Sequence, residues 1–227
     1  MNQTLSEIST KSKQIAAKIE ASAKASGRNP HDITLVAVSK RQPMERIDAA
    51  WEVGHRVFGE NQVPEAEQHW QQKRADGVDV QLHLIGHLQS NKAPRAVELF
   101  DVIETLDSLK LAKALDVAMG KTRRSPEILV QVNTGEEPQK HGIFPKDLPT
   151  FLEQVAAETQ IQVAGLMCLP PQGQEPGLHF ALLAKLAARH NLPKLSMGMS
   201  SDFETGILFG AHLVRVGSAL FGERQSR

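Results

Sequence analysis

The chain has 227 residues, 26 Lys+Arg against 26 Asp+Glu, one Cys and no Tyr. At about 150 residues per domain that length allows one α/β barrel or two small domains. The balanced charge argues against a polyanion-binding role, and one cysteine excludes an intramolecular disulfide framework. The N-terminal MNQTLSEISTKSKQIAAKIE has no apolar core and no run of about 18 apolar residues occurs, so neither secretion nor membrane spanning is expected and the location reads as cytoplasmic.

Leu5, Ile8, Ile15 and Ile19 mark one amphipathic helix, with Thr4-Leu-Ser-Glu7 as a capping box at its start and Gly27 and Pro30 as its stop. From residue 33 short apolar runs alternate with helical patterns. The runs are 33–38, 56–59, 82–86, 102–106, 127–133, 163–169, 194–198 and 213–217; the helical patterns are 44–54, 62–74, 91–99, 109–119, 147–158, 177–190 and a short one at 202–210. Continuous apolar strands alternating with helices imply a parallel sheet covered on both faces. Eight of them predict an α/β fold: a single (β/α)8 TIM-type barrel spanning 1–227 with an extra N-terminal helix at 1–28, an open doubly wound sheet being the alternative. Only 223–227, ERQSR, reads as disordered.

In such a barrel the C-terminal strand ends build the active site. The first strand ends in Ser39-Lys40, the second in Gly59-Glu60-Asn61, the third in His83-Leu-Ile-Gly-His87 followed by Asn91, the sixth in Met167-Cys168, the seventh in Gly198-Met-Ser200-Ser201, and the eighth in Arg215-Val-Gly217-Ser218. A lysine delivered by an apolar strand is partly desolvated, which favours the amine needed for a Schiff base; the plain alternative is a surface lysine that opens a loop. Small residues, hydroxyls and free N–H groups around Ser200, Ser201, Gly217 and Ser218 suit a phosphate. Together these features suggest a phosphorylated carbonyl ligand: pyridoxal phosphate, or the sugar-phosphate substrate of a Schiff-base aldolase. Arg215 alternates into the barrel, where a guanidinium suits a pyridine nitrogen or forms an ion pair with an interior carboxylate.

The segments Leu35-Val-Ala-Val-Ser-Lys40, Phe58-Gly-Glu-Asn-Gln62, His83-Leu-Ile-Gly-His-Leu-Gln-Ser-Asn-Lys92, Glu137-Pro-Gln-Lys-His-Gly142, Gly165-Leu-Met167, Leu195 to Asp202 and Val214 to Gly222 together resemble the YggS/PROSC-type pyridoxal phosphate homeostasis proteins. The resemblance runs from about residue 33 to 222. It implies a fold-type III barrel similar to the N-terminal domain of alanine racemase, with pyridoxal 5'-phosphate held as an internal aldimine on Lys40. It further implies that Ser200, Gly217 and Ser218 hold the phosphate with Ser201 as a helper, that Arg215 faces the pyridine nitrogen, and that Asn61, His87, Asn91 and Met167 line the site. The segment 170–179 is shorter than expected for many relatives.

The family's role is that of a cofactor carrier delivering pyridoxal phosphate to apoenzymes by transient contact, not of an enzyme, and a monomer is expected. A racemase needs a base on each face of the substrate, and this chain has no tyrosine and no second domain to supply one; Cys168 is expected to pack. An arginine at the pyridine nitrogen only donates, which weakens the ring as an electron sink. A racemase-like enzyme and the aldolase remain the alternatives. His55, His69, His141, His179, His190 and His212 read as surface or cap residues, and His83 with His87 at i, i+4 lacks a third ligand, so no metal is expected. Lys140 is a second amine that could take the cofactor on its way out.

Overall fold

The computed structural model describes residues 3–122 and 124–222; the expectation for 223–227 lies outside them. Eight parallel strands, β1 (Thr34–Val38), β2 (Val57–Glu60), β3 (Gln81–Leu84), β4 (Val102–Leu106), β5 (Glu127–Val132), β6 (Val163–Cys168), β7 (Lys194–Met199) and β8 (Leu213–Val216), close into a barrel in sequence order, β8 pairing with β1. The alternative of an open sheet is thereby excluded. The helices α2 (Met44–Glu52), α3 (Val63–Ala75), α4 (Ala93–Leu99), α5 (Leu109–Thr122), α6 (Leu148–Glu158), α7 (Pro176–Arg189) and α8 (Phe203–Leu208) fill the crossovers, and a short α9 (Ser218–Phe221) follows β8. Strand ends fall within two residues of the apolar runs, because strands buried on both faces carry uninterrupted apolar sequence.

The extra helix, α1 (Gln3–Ala25), packs Ile8, Ile15 and Ile19 against α2, α8 and α9. Fully burying each isoleucine contributes about 1.5–3 kcal/mol. Its C-terminus closes as a Schellman turn: Arg28 N–H donates to the Ala23 carbonyl, and Gly27 takes a left-handed φ of 68°. The expected capping box is not made. Thr4 lies inside α1 and its hydroxyl donates to Glu45, while Glu7 is drawn to Lys11 and Arg46, because charged partners outcompete a backbone N–H for the carboxylate.

Two cores result from side-chain alternation along the strands. Outward-facing residues pack with the helices, whereas Val36, Val102, Leu129 and Leu213, with Val57 against them, form a small separate cluster that floors the barrel interior. Above that floor the interior turns polar. His83, Glu104, Ser196 and Arg215 are all buried there, two residues along their strands from the floor or on the neighbouring strands β3 and β7.

Candidate functional site

Lys40 lies two residues past the end of β1 and is half-buried, on a stem clamped from both sides. Before it, Ser39 N–H donates to the Gly59 carbonyl and the Ser39 hydroxyl to Glu60 Oε1 at 2.7 Å. After it, Arg41 takes a left-handed φ of 57° and its N–H donates to Glu65 Oε1 at 2.5 Å. A non-glycine residue in that region costs about 1–3 kcal/mol and persists only where neighbours fix it. Glu60 is itself fully buried behind the sheet, its Oε1 also receiving Trp70 Nε1 (3.1 Å) and lying 2.9 Å from His69 Nδ1. Burial pushes the His69 pKa down, but its hydrogen bond to Glu60 and the charges of Glu60 and Glu65 outweigh this and leave it raised. His69 is thus a partner of the lysine stem rather than a surface residue.

The loops after β7 and β8 meet beside Lys40. Ala37 of β1 is in register with Val216 of β8, which sets Gly217 against Val38, two residues before the lysine. The N–H groups of Gly217 and Ala219 converge on Ser200 Oγ at 3.1 and 3.3 Å. Ser218 and Ser201 are exposed at the same rim. Gly198 makes the preceding turn possible: its φ is 93°, and a Cβ there would lie 2.8 Å from Phe203 Cα.

Arg215 points into the barrel. Its Nη1 donates to Ser196 Oγ at 2.5 Å, Nη2 donates to the Cys168 carbonyl at 2.8 Å, and Nη1 stands 3.8 Å from Glu104 Oε2. The Ser196 hydroxyl donates in turn to Glu104 Oε2 (2.5 Å), and His83 Nδ1 lies 2.6 Å from Glu104 Oε1. Burial alone would raise the Glu104 pKa; the His83 hydrogen bond, the His83 and Arg215 charges and the Ser196 hydroxyl overcome it and hold the carboxyl below its ordinary 4.5. The interior ion pair that sequence left open for Arg215 is therefore present.

Met167 is fully buried and alternates with Cys168, which faces the helices; burial pushes the Cys168 thiol up to about 12. The opposite side of the mouth is more open. Asn61, Ile85, Gly86, His87, Asn133 and Lys140 are among the residues around a cavity of about 270 Å³. Lys140 there is exposed and paired with Glu137 Oε2 at 2.6 Å, and Asn91 is exposed in the turn Ser90–Lys92.

Sequence reasoning paired His83 with His87, but β3 ends at Leu84 between them: His83 enters the barrel from within the strand, and His87 stands on the rim beyond its end. His141 is exposed as expected but stacks on His87, whereas His179 is buried, bonded to Thr134 and Gln174. Glu60 was read only as part of the second strand's end, without a role, and Glu65 and Glu104 were missed. Glu60 and Glu104 lie in apolar strands and Glu65 in a helical pattern, and only their distant partners reveal what they do.

A sequence profile of the alanine racemase N-terminal domain matches residues 11–225. The chain belongs to that family. Among its relatives, the pyridoxal phosphate homeostasis protein of Pseudomonas aeruginosa is 38% identical, covering 97% of each chain, and that of Escherichia coli K12 is 35% identical, covering 93% of this chain and 94% of the relative. PipY of Synechococcus elongatus, solved with pyridoxal phosphate bound, is 40% identical at a TM-score of 0.77, covering 90% of this chain and all of that one. Alanine racemase of Corynebacterium glutamicum shares the fold at a TM-score of 0.68 and 19% identity, this chain covering 62% of it.

Proposed function

We propose that this protein binds pyridoxal phosphate and acts in its homeostasis, holding the cofactor and delivering it to apoenzymes rather than catalysing a reaction with it. The observation that carries the reading is the convergence of the Gly217 and Ala219 N–H groups on one oxygen, Ser200 Oγ, beside the strand-end lysine. The relatives' names and the cofactor in PipY support it.

The donor set fits the cofactor's three polar parts. Lys40 Nζ is the nucleophile for the aldehyde, and its stem, pinned through Ser39 and Arg41, limits where the amine can go. The Ser200 hydroxyl, the Gly217 and Ala219 N–H groups and Ser218 take the phosphate, with Ser201 at the rim. Arg215 donates toward the pyridine nitrogen, and Glu104 and Ser196 fix the guanidinium that does so. Buried Met167 flanks the site, and Asn61 lines its open side together with His87. When bound, the cofactor supplies an electrophilic aldehyde and a conjugated ring that can withdraw electrons.

Three features weigh against racemase-like chemistry. The chain has no tyrosine, and Cys168 is turned toward the helices with a thiol held protonated up to about pH 12, so it does not serve as a base on the second face. A donor-only arginine at the ring nitrogen also weakens carbanion stabilisation. No helix among the described residues is long and apolar enough to cross a membrane; a monomeric cytoplasmic carrier making transient contacts with apoenzymes completes the reading.

The test is absorbance of the full-length protein and of Lys40→Ala after incubation with pyridoxal phosphate and gel filtration. A visible band of lysine-bound cofactor retained by the wild type and lost in the variant is expected. Absence of the band from both overturns the reading and turns attention to a Schiff-base aldolase, which borohydride would trap only with a sugar phosphate.

A further inference from the structure

The open side of the barrel mouth carries a cluster of which the cofactor reading uses only His87, and that as a lining residue. His87 follows β3, Asp107 follows β4 and His141 lies in the long loop between β5 and α6. His87 Nδ1 is 3.0 Å from Asp107 Oδ2, and His141 Nδ1 is 3.5 Å from the same oxygen. The two imidazoles stack with ring centroids 3.6 Å apart and planes inclined by 9°. Asp107 is mostly buried, its side chain 8% exposed, whereas His141 is 55% exposed.

We propose that His87, Asp107 and His141 form a binding site for a divalent first-row metal ion of the zinc type, with its remaining coordination positions open toward the rim cavity. Ligand atoms about 2.0–2.1 Å from a tetrahedral zinc stand roughly 3.3 Å from one another, and the two nitrogen-to-oxygen separations bracket that value. Two imidazole nitrogens and one carboxylate oxygen are a borderline donor set that suits zinc, nickel or copper over calcium or magnesium. Three protein ligands with the fourth position open make an accessible site rather than a closed structural one. His87 and His141 both line the cavity of about 270 Å³, with Asn133, Gln139 and Lys140 around it, so an added ligand on the ion has room and polar neighbours.

Binding requires each Nδ1 to present its lone pair, with the ring proton on the other nitrogen, and the stack to open so that both reach one ion. The more exposed His141 is the side chain with freedom to make that adjustment. The ion would tie together the loops after β3, β4 and β5, and the last of these carries Lys140. The other acid and histidine cluster, Glu60, Glu65 and His69, is a poorer host. Glu60 Oε1 already takes Ser39, Trp70 and His69, and Glu65 Oε1 takes the Arg41 N–H.

The site stands whether or not pyridoxal phosphate occupies Lys40, and its test reads the metal alone. Full-length protein freed of metal by chelator is titrated with Co²⁺, followed by visible absorption and calorimetry, and competed with Zn²⁺. One ion per chain is expected, with affinity lowered about tenfold or more in His141→Gln and in Asp107→Asn and unchanged in His69→Gln. Failure of the wild type to take up one ion, or uptake retained in His141→Gln, overturns the proposal, as does uptake lost only in His69→Gln. His141→Gln is the decisive variant because its exposed side chain can be replaced without disturbing the core, and a thermal melt verifies that it folds.

Discussion

The two sides of the barrel mouth are built from opposite materials. On the side of β7, β8 and β1, backbone N–H groups, small residues and one hydroxyl converge above buried charges, Arg215 against Glu104. On the side of β3, β4 and β5 the chemistry is carried by side chains on the rim, His87, Asp107, His141 and Lys140, three of them exposed. Backbone donors at strand ends are fixed by the barrel itself and suit an anion of set shape. Rim side chains on loops can rearrange, which suits ligands that come and go. The difference suggests that one side anchors while the other accommodates.

Removing the foundation of the anchoring side should have the largest effect. Glu104→Ala leaves Arg215 buried without its carboxylate and should cost about 3–5 kcal/mol, read from urea unfolding; a loss under about 1 kcal/mol would show that Arg215 stands on Ser196 and the Cys168 carbonyl alone. Acid should find the same weak point. The folded Glu104 pKa lies below its unfolded value, so its contribution is present above about pH 4.5 and lost as pH falls through the lower folded value. Unfolding followed between pH 6 and pH 3 should therefore steepen in the wild type relative to Glu104→Gln. His69 works in the other direction: its raised pKa gives stability that is complete below the unfolded value near 6.5 and fades as pH rises through the folded one.

Ser200→Ala should be milder. It removes the acceptor of the Gly217 and Ala219 N–H groups, worth about 1 kcal/mol, and should weaken pyridoxal phosphate about fivefold in fluorescence titration. The smallest effect belongs to the accommodating side. Lys140→Ala removes only an exposed ion pair with Glu137 and should change stability by less than about 1 kcal/mol. An unchanged rate of cofactor transfer to an apoenzyme in that variant would remove Lys140 as a stopping point on the way out.

How much was legible in the sequence follows the same division. The barrel was readable because each strand is a contiguous apolar run, and the residues proposed for the anchoring side could be singled out because Ser200, Arg215 and Gly217 lie within one short stretch and Lys40 comes just after the first run. What escaped depends on pairing over distance. Glu104 sits in the apolar Val-Ile-Glu-Thr-Leu and is explained only by Ser196, 92 residues away, and by His83, 21 residues away. The His87, Asp107 and His141 cluster draws on three separate loops, so no spacing announces it. The capping box failed because its glutamate is held by two cations, Lys11 one turn on and Arg46 on α2.

The helix α1 has one more consequence, for the order of events during synthesis. Its isoleucine stripe rests on α2 but also on α8 and α9, which lie across the junction of β8 with β1. Roughly 180 residues must be made between α1 and α8, which at about 5–20 residues per second takes on the order of ten seconds or more. For that interval α1 carries an apolar face with only part of its partner surface in existence. The same helix that seals the finished barrel is the part of the nascent chain most in need of protection before the barrel closes.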